Sequence, residues 1–150
     1  MRKLVLGMAI GVVALVSGSL ALAASVGETY GVNAPMTAKA EVPAPKGASG
    51  KGTFSGSYVE SGKTAMLTWK LVFSGLTGPA MAAHIHMAKT GVAGPVIVPL
   101  CGPCKSGMTG KVKITEKVID ALESGKAYAN VHTAKNAGGE IRGQIKVTGG

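Results

Sequence analysis

Short runs of alternating apolar and polar residues, each closed by glycine, set the fold class of this chain. In Ala65-Met66-Leu67-Thr68-Trp69-Lys70-Leu71-Val72-Phe73, residues Leu67, Trp69, Leu71 and Phe73 share one apolar face. A period of two belongs to a strand with one buried side. Residues 53–59 repeat the pattern, and Glu60-Ser61-Gly62-Lys63 between the two runs reads as a hairpin turn. Further strands are expected around residues 36–42, 81–87, 96–100, 110–114 and 126–132, with a last one running to about residue 147. Only residues 115–125 predict a helix: Thr115 stands as N-cap, Val118, Ile119 and Leu122 form an apolar stripe, and Gly125 ends it. The expected fold is all-β, an antiparallel Greek-key-like sandwich or flattened barrel with one short helix.

Residues 1–24 predict a signal peptide and are set aside from the fold. Arg2 and Lys3 give a positive start, residues 4–20 are mostly apolar, and Ala21-Leu22-Ala23 matches the small-x-small cleavage rule. The alternative is an uncleaved spanning helix, and no cysteine at the cleavage point indicates a lipid anchor. Residues 25–150 then form one domain, exported to the periplasm or beyond, with no stable membrane anchor. Loss of Arg2 and Lys3 lowers the formal charge from +9 to +7. A basic field draws anions such as a small substrate, an acidic polysaccharide or lipid head groups. Nucleic acid is not expected, because one Trp, two Phe and three Tyr offer little stacking surface and the basic residues form no dense run.

All three histidines fall in two short segments, Ala83-His84-Ile85-His86 and Asn130-Val131-His132-Thr133. Alternation projects His84 and His86 together, and in the second segment Tyr128, Asn130 and His132 share a face. In the last strand Ile141, Gly143, Ile145 and Val147 read as inward, and Glu140, Arg142, Gln144 and Lys146 as outward. Three imidazoles and a guanidinium therefore fall on one outer surface, an outline of metal-ligand geometry. Cys101-Gly102-Pro103-Cys104 copies the thioredoxin tetrapeptide, but Lys105-Ser106-Gly107 cannot start the helix that thiolate chemistry needs. A local disulfide is the leading expectation, with redox exchange or auxiliary metal binding as alternatives. Among the methionines only Met87, beside His86, joins the candidate ligands. No paired carboxylates and no serine elbow suggest hydrolysis.

The order Glu41-Val42-Pro43, Gly50-Lys51-Gly52, the paired histidines, Gly94-Pro95-Val96, Tyr128-Ala129-Asn130-Val131-His132-Thr133 and Gly139-Glu140-Ile141-Arg142-Gly143 resembles the CHRD domain. It departs from that pattern at Met87-Ala88, where a glycine often follows, and in carrying the two cysteines. A weaker resemblance is to copper/zinc superoxide dismutases, which hold copper with a His-x-His strand and a later Val-His segment. No histidine lies between His86 and His132, so the zinc half is missing and a copper-only site is the analogue. The resemblance implies copper on His84, His86 and His132, no zinc, and Arg142 as the catalytic residue that steers superoxide. Three neutral imidazoles suit Cu(II) and tolerate Cu(I). Two alternatives remain, a metal-free binding module and a periplasmic copper carrier.

Overall fold

A computed structural model describes residues 27–149, so the expected signal peptide lies outside the described residues. Nine strands, β1 (Thr29–Thr37), β2 (Lys51–Ser61), β3 (Thr64–Ser74), β4 (Ala80–Met87), β5 (Val96–Cys101), β6 (Met108–Thr115), β7 (Ala127–Thr133), β8 (Ile141–Gln144) and β9 (Lys146–Thr148), and one helix, α1 (Glu116–Glu123), make up the domain. They form one sheet in the order β5-β4-β7-β8-β1-β2-β3-β6, with β9 also on β1, and the pairings are antiparallel. The end strands β5 and β6 come back into contact, which rolls the sheet into a nearly closed, flattened barrel. The expected all-β antiparallel architecture with a single short helix is the one found.

The alternation that defines the strands also builds the interior. Val32, Ala34 and Met36 of β1, Phe54 and Tyr58 of β2, and Leu67, Trp69 and Leu71 of β3 are buried together with Ala83, Ile85, Ala129, Val131 and Ile141. Each large apolar side chain so buried contributes about 1.5–3 kcal/mol. Helix α1 packs Val118, Ile119 and Leu122 inward, and Gly125 follows at φ 66°. Thr115 has the extended backbone of an N-cap, yet its side chain makes no capping bond.

Two strand boundaries differ from the sequence expectation. The first strand covers Thr29–Thr37 rather than residues 36–42, because Thr37, its last paired residue, also caps the 3-10 turn Ala38–Ala40 that ends it, accepting the Ala40 N–H at 3.3 Å. The last strand is interrupted at Ile145, whose side chain is buried and whose N–H donates to the Ala127 carbonyl at 2.9 Å. Among the described residues no helix is long and apolar enough to cross a membrane.

Candidate metal centre

Strands β4 and β7 bring the histidines together as neighbours on the outer side of the sheet. In their register His84 faces Asn130, His86 faces Tyr128 and Ala82 faces His132, while Ala83, Ile85, Ala129 and Val131 point into the core. One ring nitrogen from each of His84, His86 and His132 lies within 4.8 Å of the others. The closest approach is His84 Nδ1 to His132 Nε2, at 3.0 Å. Metal–nitrogen bonds of about 2.0–2.1 Å place adjacent ligand nitrogens about 2.9–3.4 Å apart, so this pair already has the spacing of two ligands of one ion.

Hydrogen bonds to backbone carbonyls fix the tautomers. His86 Nδ1–H donates to the Gly94 carbonyl at 2.8 Å, and His132 Nδ1–H donates to the Ala137 carbonyl at 2.9 Å. A carbonyl can only accept, so in the neutral ring the proton sits on Nδ1 and Nε2 carries the lone pair. His132 Nε2 lies 3.0 Å from Asn130 Oδ1, which is itself an acceptor and cannot satisfy a bare lone pair, and 3.0 Å from His84 Nδ1. The buried His86 Nε2 finds no partner at all, although His86 is only 8% exposed. Such an orphan on a trio of convergent rings has the donor chemistry of a first-row metal site. Burial, with the charges of His132 and His86, pushes the His84 imidazole below its usual range. Burial and His86 also lower His132, against the upward pull of the Ala137 carbonyl and the Glu41 carboxylate. Both rings are therefore neutral at pH 7 and free to bind a cation.

The connection 88–95 folds back over the outer face and seals one side of the site. Gly94 N–H donates to Tyr128 Oη at 3.1 Å, Met87 N–H to the Pro95 carbonyl at 2.9 Å, and Gln144 Nε2 to the Ala88 carbonyl at 2.9 Å. A side chain at Gly94 would overlap the Met87 carbonyl, which explains a glycine there. Arg142 completes the clamp. It is 2% exposed, its Nη1 donates to the Val92 carbonyl at 2.8 Å and its Nη2 to the Lys89 carbonyl at 3.2 Å, and its guanidinium lies 3.4 Å from the Tyr128 ring centroid. His86 stacks on the same tyrosine at 4.9 Å between centroids.

Arg142 thus departs from the expectation of a solvent-facing cation beside the metal. It occupies the outer side of the sheet, as alternation requires, but two strands from His84, about 10 Å away, and covered by the 88–95 connection. The connection it holds carries the Gly94 carbonyl that accepts from His86. Met87 is also apart from the trio, because alternation turns it away and it packs against the core. Cys101 and Cys104 are joined in a disulfide, and the Cys104 N–H donates to the Ala80 carbonyl at 3.0 Å, tying the β5–β6 connection to the start of β4.

Sequence reasoning missed two acids near the site. Glu140 is fully buried: Oε1 accepts the Thr77 N–H at 2.6 Å, and Oε2 accepts Thr77 Oγ1 at 2.6 Å, Thr133 Oγ1 at 2.5 Å and Asn136 Nδ2 at 3.0 Å. Burial raises its carboxyl, but the bonds from Thr133, Thr77 and Asn136 outweigh that and hold it below the usual range. They also pin the β7–β8 turn, whose Ala137 carbonyl orients His132. Glu41 is 5% exposed and sits against that turn. Its place directly before Val42-Pro43 in the resemblance motif was the available signal for it.

A nearly closed antiparallel barrel bearing a partly covered histidine trio defines the class of this domain. The pattern of the CHRD domain matches residues 32–145, and the chain belongs to that family. No curated protein and no solved structure matches it.

Proposed function

We propose that this protein is an exported copper-binding CHRD domain in which His84 Nδ1, His86 Nε2 and His132 Nε2 hold one copper ion. The observation that carries the reading is the buried His86 Nε2, a lone pair with no partner beside two other convergent ring nitrogens. Three imidazole ligands, with the cysteines tied up in a disulfide and no carboxylate in the cluster, favour copper over the other divalent ions and leave zinc a poor competitor. Bound copper would supply a one-electron couple and a free coordination position. The chain does the rest: the Gly94 and Ala137 carbonyls aim His86 and His132, Tyr128 backs the first of these by stacking on it, and the 88–95 connection keeps water from one side.

Partial exposure of His84 and His132 leaves the other side open to a small ligand, which favours reaction with an anion such as superoxide as a second reading. In that reading the overall basic charge attracts the anion, since the Arg142 guanidinium is committed to two carbonyls. Titration with copper and zinc of the wild type and of His84→Ala, His86→Ala and His132→Ala tests the site. Each variant is expected to lose copper affinity at least 10-fold while melting within a few degrees of wild type. Unchanged affinity in all three would move the assignment to a metal-free binding module. Tight copper binding with no superoxide removal above that of free copper would favour a copper carrier.

A further inference from the structure

Glu41 carries an unsolved problem of charge. Its carboxylate is buried, Oε1 accepts the Val42 N–H at 2.9 Å, and Oε2 has no hydrogen-bond partner. No cation answers it, because the one ion pair among the described residues joins Lys63 to Glu116 on the surface. Burying an unpaired carboxylate is costly, and native folds tolerate it where a counter-charge is supplied.

The surroundings indicate where that counter-charge sits. Glu41 ends the 3-10 turn that follows β1, and its carboxylate fills the space that a Cβ on Gly139 would occupy. Gly139, at φ 133°, belongs to the β7–β8 turn whose Ala137 carbonyl holds His132, and its empty side also faces the Asn130 amide that contacts His132. Three buried side-chain atoms among the described residues lack partners; His86 Nε2 belongs to the histidine cluster, and Glu41 Oε2 lies against the turn that holds His132, where its charge acts on that ring. One cation on the trio resolves both.

We propose that Glu41 is the anionic partner of the ion held by His84, His86 and His132, a charge-compensating residue that favours a doubly charged over a singly charged ion. This rests on the copper reading above and sets the balance between the two oxidation states. A fixed negative charge attracts a dication with twice the energy of a monocation at the same distance, so the factor lost by Cu(II) on neutralisation is the square of that lost by Cu(I).

The test is Glu41→Gln, which keeps shape and removes charge, with Glu41→Asp retaining the charge. Cu(II) and Cu(I) affinities are measured separately by competition with chelators of each ion, alongside melting of the metal-free proteins. For Glu41→Gln the expected losses are about 5-fold for Cu(I) and about 25-fold for Cu(II). The difference corresponds to a midpoint potential about 40 mV higher. Metal-free Glu41→Gln should melt at or above wild type, since an uncompensated charge is gone, and Glu41→Asp should keep the wild-type ratio of the two affinities. Equal losses for both ions, or none, would overturn the proposal and leave Glu41 a structural residue. A wild type that binds no copper would instead overturn the histidine site itself.

Discussion

Replacement of Glu140 by Gln should destabilise the metal-free domain by about 2–4 kcal/mol at pH 7. The carboxylate accepts four hydrogen bonds, three of them on Oε2. A glutamine can keep the Thr77 N–H on its carbonyl, and the hydroxyls of Thr77 and Thr133 can turn to accept from its amide, but the Asn136 amide then faces another donor. Losing charge assistance costs about 1 kcal/mol per bond, and a stranded buried donor about 1–3 kcal/mol more. Relief of the buried charge offsets part of this. For a domain of this size the net loss lowers Tm by about 8–16 °C. The sign of the pH dependence follows from the depressed folded pKa. The contribution is fully present above the unfolded value near 4.5 and is lost as pH falls through the lower folded value. Urea unfolding of both proteins from pH 7 to pH 3 should show a gap that narrows below about pH 4.5. No gap at pH 7, or one that persists unchanged at pH 3, would refute the argument that an ionised Glu140 holds the β7–β8 turn.

Arg142→Met keeps the bulk against Tyr128 but strands the Lys89 and Val92 carbonyls; it should cost about 2–4 kcal/mol by thermal melting and speed amide exchange in residues 88–95. The same variant should weaken copper binding, because the Gly94 carbonyl that orients His86 rides on that connection. Changing Cys101 and Cys104 together to Ser opens a very short loop and should lower stability by about 2 kcal/mol or less, with copper uptake unaltered in titration.

The strands and the trio were legible because alternation is a local property. His84 and His86, two residues apart, must share a face once Ala83 and Ile85 are buried. The first strand was harder to place, since Gly31 and Pro35 lie within it and Thr37 both ends it and caps the turn that follows. The two-face rule also treats every outward residue as solvent-exposed. Glu140 and Arg142 do lie outward, yet both are buried, because the Gly78-containing β3–β4 connection and the 88–95 connection close over them through Thr77, Lys89 and Val92. Such long-range covering leaves no periodic trace in a sequence. The burial of Glu41 left no periodic signal for the same reason: apart from the adjacent Val42, the residues around it, Asn130, His132 and Gly139, are 89 or more residues away along the chain.

Metal content tests the copper site on the three histidines most directly. Copper-loaded wild-type protein, desalted to remove loosely held metal, is compared with a variant carrying Ala at His84, His86 and His132, by metal analysis and electron paramagnetic resonance. The wild type is expected to retain about one Cu(II) per chain with hyperfine coupling from imidazole nitrogens, and the variant neither. Equal copper retention by the two proteins, or loss of all copper from the wild type on desalting, would contradict it.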